Sequence, residues 1–179
     1  MLAEPRPLFR ASGTARLCIA SQAPGKRAHG TGLTFNDASG DRLRAWMGMT
    51  RDEFYDVSRV AILPMGFCFP GLDAHGSDLP PRKECAPTWR ARFFDLMPAI
   101  EFIVCIGSFA QAWHLGTERK RLMNETVSDW RRILQASRLP RVLPLPHPSW
   151  RNNAWLKRNL WFEQELLPVL QAEVRALLA

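Results

Sequence analysis

Four short β-prone runs punctuate this chain, and helix-patterned sequence lies between them. They read "ARLCIA" (15–20), "SRVAIL" (58–63), "AIEFIVCIG" (99–107) and "RVLPL" (141–145). Each ends on a turn signal: "SQAPG", "PMG", Gly107 and "PHPSW" respectively. Near-continuous apolar runs of this kind suit strands that are covered on both faces. Strands alternating with helices pair in parallel, because a parallel pair needs a long crossover to return the chain to the same edge. The expected architecture is an α/β fold: a three-layer α/β/α sandwich around a central, mainly parallel four-stranded sheet.

The intervening stretches are expected to be helical. Ser39 is placed to cap a helix over 40–49, with Asp41 in its first turn. The stretch 81–97 spaces apolar residues helically, and Pro87 restricts where its helix begins. Ser108 and Gly116 bracket a helix over 108–116. An N-x-x-V-x-x-W-x-x-I-L pattern marks 124–137, and a terminal helix over 160–179 carries Pro168, which predicts a bend.

With 179 residues, 46% hydrophobic and 23% charged, the chain has enough material for one cored domain, and a single domain over 1–179 is expected. No apolar run approaches the ~20 residues of a membrane span. The stretch "MLAEPRPLFRASGTARLC" has no signal-peptide apolar core. The expectation is a cytoplasmic monomer without membrane contact. Cys18 and Cys105 lie inside strand runs, which reads as reduced, buried thiols rather than a disulfide framework. The net charge of +7 is uneven. Residues 119–158 hold ten cations (Arg119, Lys120, Arg121, Arg131, Arg132, Arg138, Arg141, Arg151, Lys157, Arg158) against Glu125 and Asp129, so the remainder is close to neutral. Such a segment is either a phosphate-backbone footprint or a solvated face.

In open α/β sheets ligands bind beyond the carboxyl ends of the strands. "SQAPG", "PMGFCFPG" and "HPSW" each follow a strand and converge there. The first continues as "SQAPGKRAHGTGLTFNDASGD", whose glycines and small residues allow close backbone approach. It offers Gln22, His29, Phe35, Asn36 and Asp37. The last fixes His147 between Pro146 and Pro148 and follows it with Ser149, Trp150, Arg151, Lys157 and Arg158. A titratable ring, a hydroxyl, aromatics and cations together suit something flat and anionic. No G-x-G-x-x-G or G-x-x-x-x-G-K-[ST] pattern occurs, so a nucleotide-phosphate fingerprint is not supported. There is no G-x-S-x-G elbow, and the four histidines lack close ligand spacing, so zinc is not expected.

With these loops placed, the sequence resembles the uracil-DNA glycosylase superfamily, most nearly its family 4 and family 5 branches, over about 15–170. "SQAPG" is similar to the GEAPG of family 4, and Phe35 matches the Phe that stacks on the flipped base. "DASGD" (37–41) is similar to the D-x-SGD of family 5, whose first Asp is a candidate catalytic residue. "HPSW" fits the second motif, and the stretch from "PMGFCFPG" to "WHLG" follows the family's C-x-P-P…C-x-P-x-L…G-x-x-A-x-x-x-L-G order. There are three departures. Pro64 stands near the family's uracil-reading Asn, and Gln22 replaces the family 4 Glu. Cys68 and Cys85 match two ligands of the family 4 cluster, but the expected N-terminal C-x-x-C pair is absent. No cofactor is expected; a 4Fe–4S cluster would need two further cysteines upstream.

The resemblance implies a DNA glycosylase acting on a deaminated or damaged base, with DNA as partner. It implies Asp37 and His147 as catalytic groups, and Gln22, Ala23, Pro24, Gly25, Phe35, Asn36 and Pro64 around the base. Lys26, Ser149, Trp150, Arg151, Lys157 and Arg158 would contact DNA. Two other functions fit the same residues: a nucleic-acid-binding homologue that has lost uracil excision, and a nucleoside N-glycosidase. Blander roles stand beside these. Phe35 suits a core, and Asp37 a turn or cap. Trp150, Trp155 and Trp161 suit packing of the last helix, and Cys68 and Cys85 suit free thiols.

Overall fold

The computed structural model describes residues 4–136 and 138–179. Strands β1 (Leu17–Ala20), β2 (Val60–Ile62), β3 (Phe102–Ile106) and β4 (Arg141–Leu145) form one sheet in the order β2-β1-β3-β4. Every pairing is parallel: Leu17 registers with Val60 on one side and Phe102 on the other, and Phe102 with Arg141. The sheet is thus wholly parallel; Arg10 adds one antiparallel bridge to Ile62 at its edge. β2 is shorter than the 58–63 run because the Asp56 carboxylate accepts from the Ser58 N–H (3.0 Å) and hydroxyl (2.6 Å), turning the chain before Val60.

Side chains alternate between two cores. Leu17, Ile19, Val60, Ile62, Phe102, Val104, Leu143 and Leu145 face one layer, while Cys18, Ala20, Ala61, Leu63, Ile103, Cys105 and Val142 face the other. The first layer is covered by α2 (Ala38–Met47), α3 (Arg51–Tyr55) and α9 (Leu167–Leu178), through Leu43, Met47, Phe54, Leu170 and Val174. The second is covered by α4 (Cys85–Asp95) and α5 (Gly107–Leu115), through Ala86, Ala110 and Leu115. Helices lie on both faces, as the apolar strand runs require. Among the described residues no helix is long and apolar enough to cross a membrane.

Several boundaries differ from the sequence reading. The cap of α2 is Asp37, whose Oδ1 accepts from the Gly40 N–H at 2.9 Å; the helix begins at Ala38, so Ser39 is already inside it. The 124–137 stretch forms two short helices, α6 (Met123–Ser128) and α7 (Trp130–Leu134), interrupted at Asp129. The Asp129 carboxylate is drawn aside to Arg132, and Ser137 lies outside the described residues. Pro168 is the second residue of α9 and follows directly on a π-helical turn over Phe162–Leu166, so the helix runs on through the proline with its hydrogen-bond pattern changed just ahead of it. Short helices α1 (Lys26–Thr31) and α8 (Asn153–Arg158) occupy stretches read as loops.

Candidate active site

A cavity of about 300 Å³ opens beyond the carboxyl end of β1. Its walls come from residues 21–28 after β1, from 34–37 and 39 before and within α2, from Asp78 after β2, and from His147 after β4. The first loop is held as an extension of the sheet: the Ser21 and Gln22 carbonyls accept from the N–H groups of Met65 (2.7 Å) and Gly66 (2.9 Å). Gln22, Ala23, Pro24, Gly25 and Lys26 are all brought to the cavity, and the Gln22 side chain makes no hydrogen bond among the described residues.

Phe35 is held in an unusual backbone conformation. Its φ of 57° is left-handed, which costs a bulky residue about 1–3 kcal/mol unless its surroundings enforce it. Three neighbours do so. Buried Arg44 donates to the Phe35 carbonyl (3.1 Å), the Tyr55 hydroxyl donates to the Thr34 carbonyl (2.7 Å), and Arg51 donates to Asn36 Oδ1 (2.9 Å). Gly40 completes the arrangement: a Cβ there would lie 1.7 Å from the Phe35 carbonyl oxygen. The ring meets Phe54 edge-on, centroids 5.9 Å apart, and also lines the cavity. Phe35 is therefore both a core contact and a wall. With Asn36 Oδ1 engaged by Arg51, the Asn36 amide keeps its donors for a ligand.

His147 is positioned from three sides. Fully buried Gln111 donates to the Leu145 carbonyl (3.0 Å), Asn152 donates to the His147 carbonyl (2.7 Å), and Arg42 donates to the Ser149 carbonyl (3.1 Å). Burial holds the imidazole pKa below its ordinary value; Asp37 opposes this and Arg151 adds to it. The ring is thus neutral at pH 7, with one N–H to donate and no side-chain partner among the described residues. Next to it Trp150 is 73% exposed, with the Arg151 guanidinium 6.0 Å from its ring centroid.

A model of the uracil DNA glycosylase superfamily matches residues 9–171. This chain belongs to the uracil DNA glycosylase superfamily. Its fold is similar to the solution NMR structure of a Methanosarcina acetivorans protein provisionally assigned as a uracil DNA glycosylase, with a TM-score of 0.57 and 12% identity. The match covers 97% of this chain and 98% of that one.

Three expected site residues lie away from this cavity. Pro64 is not part of the cavity wall. Residues 63–66 run on alongside β1, so Pro64 is buried in packing and its carbonyl accepts from Arg90 (3.2 Å). Lys157 and Arg158 also stand apart. Lys157 lines a separate groove with Arg42 and Glu163, and Arg158 donates to the Ala154 carbonyl of its own helix. Half of the basic segment is neutralised by ion pairs: Lys120 and Arg132 with Asp129, Arg138 with Glu118, Arg131 with Glu165 and Arg141 with Glu173. His29 packs its ring against Phe69, centroids 5.6 Å apart. Trp155 and Trp161 pack on each other and on Phe162.

The superfamily's family 4 cluster does not fit the donors present. A 4Fe–4S cluster takes four thiolates, and half-buried Cys68 and Cys85 supply two. Cys18 and Cys105 point into the second core, where burial pushes both thiols up, Cys18 to about 11. No group of three metal-ligating side chains gathers among the described residues. Ser21, Arg27, Ala28, Thr34, Ser39 and Asp78 also line the cavity without having been expected there; Asp78 lies in an irregular loop, where neither periodicity nor a motif marks it.

Proposed function

We propose that this chain is a DNA glycosylase that flips a deaminated or damaged base, uracil or a related one, out of DNA and hydrolyses its N-glycosidic bond in base-excision repair. The observation that carries this reading is one cavity in which a fixed aromatic, Phe35, and a neutral imidazole, His147, form walls of the same chamber. Extruding a base costs a few kcal/mol, and stacking on Phe35 offsets ~1–3 kcal/mol of it. Exposed Trp150 is shaped to fill the vacated stack, while Arg151 and Lys26 contact phosphates. As the bond breaks, negative charge grows on the base. A neutral His147 N–H aimed at a base oxygen stabilises that anion without first losing a proton, an effect of ~3–4 kcal/mol for one such donor.

The test is incision. Labelled single- and double-stranded oligonucleotides carrying uracil, hypoxanthine, xanthine or a thymine mismatch are incubated with the protein and treated with alkali. Cleavage that disappears in His147→Ala is the expected result. No cleavage of any substrate, with salt-sensitive DNA binding intact, would point to a binding homologue. Hydrolysis of free nucleosides that is indifferent to Arg151→Ala would point to a nucleoside N-glycosidase.

A further inference from the structure

Two carboxylates line the cavity among its described walls, Asp37 and Asp78. Asp37 is already engaged: its Oδ1 caps α2 through the Gly40 N–H, directly beneath the Phe35 carbonyl. The first loop has an amide, Gln22, which cannot accept a proton from water at neutral pH. Asp78 is different. No hydrogen bond or ion pair holds its carboxylate among the described residues, and its Oδ2 lies 3.1 Å from where a Cβ on Gly25 would stand.

The loop that carries Asp78 is braced. Leu72 and Asp78 form an antiparallel bridge, the Leu79 N–H donates to the Gly71 carbonyl (3.0 Å), and the Asp73 N–H donates to the Ser77 carbonyl (2.8 Å). Farther on, Pro81 presses on Gly66 beside Ala23: a Cβ at Gly66 would lie 2.9 Å from the Pro81 Cβ. The loop is therefore seated on the same first loop that walls the cavity. Asp78 itself is exposed while Ser21 and Thr34 are buried, which puts Asp78 at the mouth and those residues deeper. A flipped nucleotide stays tethered through its backbone, so its base enters and its sugar remains at the mouth, beside Asp78.

We propose that Asp78, and not Asp37, is the catalytic carboxylate of this site, holding the attacking water against the anomeric carbon of the flipped nucleotide. This rests on the base-excision reading. The water oxygen bonds to the anomeric carbon and its proton passes to the Asp78 carboxylate. The carbon–nitrogen bond breaks and its electron pair leaves with the base, whose anion accepts a hydrogen bond from His147. The proton then returns from Asp78 to the base, leaving free base and an abasic site. The cavity walls desolvate part of the Asp78 carboxylate and raise its pKa from the ordinary value, Arg151 opposing, which makes it a better base than a fully solvated aspartate.

The experiment measures single-turnover excision on the best substrate of the incision panel, for wild type, Asp78→Asn, Asp78→Glu and Asp37→Asn. Asn caps helices as well as Asp, so Asp37→Asn keeps the cap, and its loss of rate is expected to be far smaller than that of Asp78→Asn. Asp78→Asn is expected to lose a factor of about 10²–10⁴, with undiminished affinity for an abasic-analogue oligonucleotide and an unchanged melting midpoint; Asp78→Glu recovers part of the rate. The acid limb of the pH–rate profile is expected to flatten in Asp78→Asn. The titratable and charged groups around Asp78 are Asp37, Lys26, Arg27, His147 and Arg151, with Asp73, His75 and Arg82 in its own loop. Asp78→Asn leaves every one of these groups in place, so the limb that flattens on this substitution is the one Asp78 carries. Wild-type rates and an unchanged profile in Asp78→Asn would overturn the assignment while leaving the base-excision reading standing. A wild-type protein inactive on every substrate would overturn both.

Discussion

Gly40→Ala should damage this protein more than a single methyl group ordinarily does. The new Cβ would stand 1.7 Å from the Phe35 oxygen, 2.5 Å from its carbonyl carbon and 2.9 Å from its Cα, where real contacts keep at least 3.0 Å. All three atoms are backbone, so no side chain can rotate away. The Phe35 carbonyl must retreat by about 1.3 Å or α2 must shift. Either movement breaks the 3.1 Å bond from buried Arg44 that holds Phe35 in its left-handed conformation. Overpacking of this kind costs about 1–3 kcal/mol, which lowers the midpoint of a chain this size by roughly 2–12 °C. The Phe35 ring moves with its backbone, and a ~1 Å misplacement of a substrate-positioning group costs on the order of 10²-fold in rate. Thermal melting followed by circular dichroism and single-turnover excision read the two effects. Gly30→Ala is the control, because a Cβ there meets nothing within 4 Å. If Gly40→Ala melts and excises like Gly30→Ala, close approach is not what this glycine provides.

The remaining predictions concern charge and access. Burial, reinforced by Arg90 and Arg138, depresses the His114 pKa to about 3. The unfolded chain therefore takes up its proton first: stability is full above about pH 6.5 and falls as pH drops toward 3, by up to ~1.4 kcal/mol per pH unit. Between pH 6.5 and 5, His114→Gln should reduce this slope in urea melts, leaving the part set by buried His147; the Gln oxygen can take over as acceptor from Arg90, which lies 2.6 Å from His114 Nε2. In the native protein an alkylating reagent should label Cys68 and Cys85, while Cys18 and Cys105, fully buried, react only after denaturation; peptide mass spectrometry reads the order. Arg151→Ala should reduce the slope of log affinity for DNA against log salt by about 1, whereas Arg131→Ala, a change at a cation already paired with Glu165, should leave that slope unchanged.

The four strands were legible because runs such as "FIVCI" are apolar on both faces, and only a sheet covered on both sides hides them. The meeting of Phe35, Gln22 and His147 was legible for the same reason: parallel strands deliver their trailing loops to one edge. Short-range competition was not. Ser39 and Asp37 are both plausible caps, and the choice falls to Asp37 because Gly40 must sit beneath Phe35. Asp129 reads as an ordinary helical residue until Arg132 and Lys120 draw its carboxylate aside. The basic run over 119–158 reads as a footprint because the acids that neutralise it, Glu118, Glu165 and Glu173, lie outside it in sequence. Pro64 was placed at the base by motif order, but the hydrogen bonds that zip 63–66 onto the loop after β1 turn it into the packing.

The strand order also sets when the cavity can exist. β1 carries the first loop, yet Leu17 pairs with Val60 and Phe102, partners 43 and 85 residues along the chain. His147 reaches the cavity only through β4, which touches β1 solely by way of β3. No early hairpin can form any part of this chamber, and parallel, non-local pairing folds slowly. During synthesis the first loop waits, with its apolar strand uncovered, until residues beyond 147 have emerged. Binding competence should therefore appear in a single late step on refolding, together with burial of Trp46 and Trp130, and not build up strand by strand.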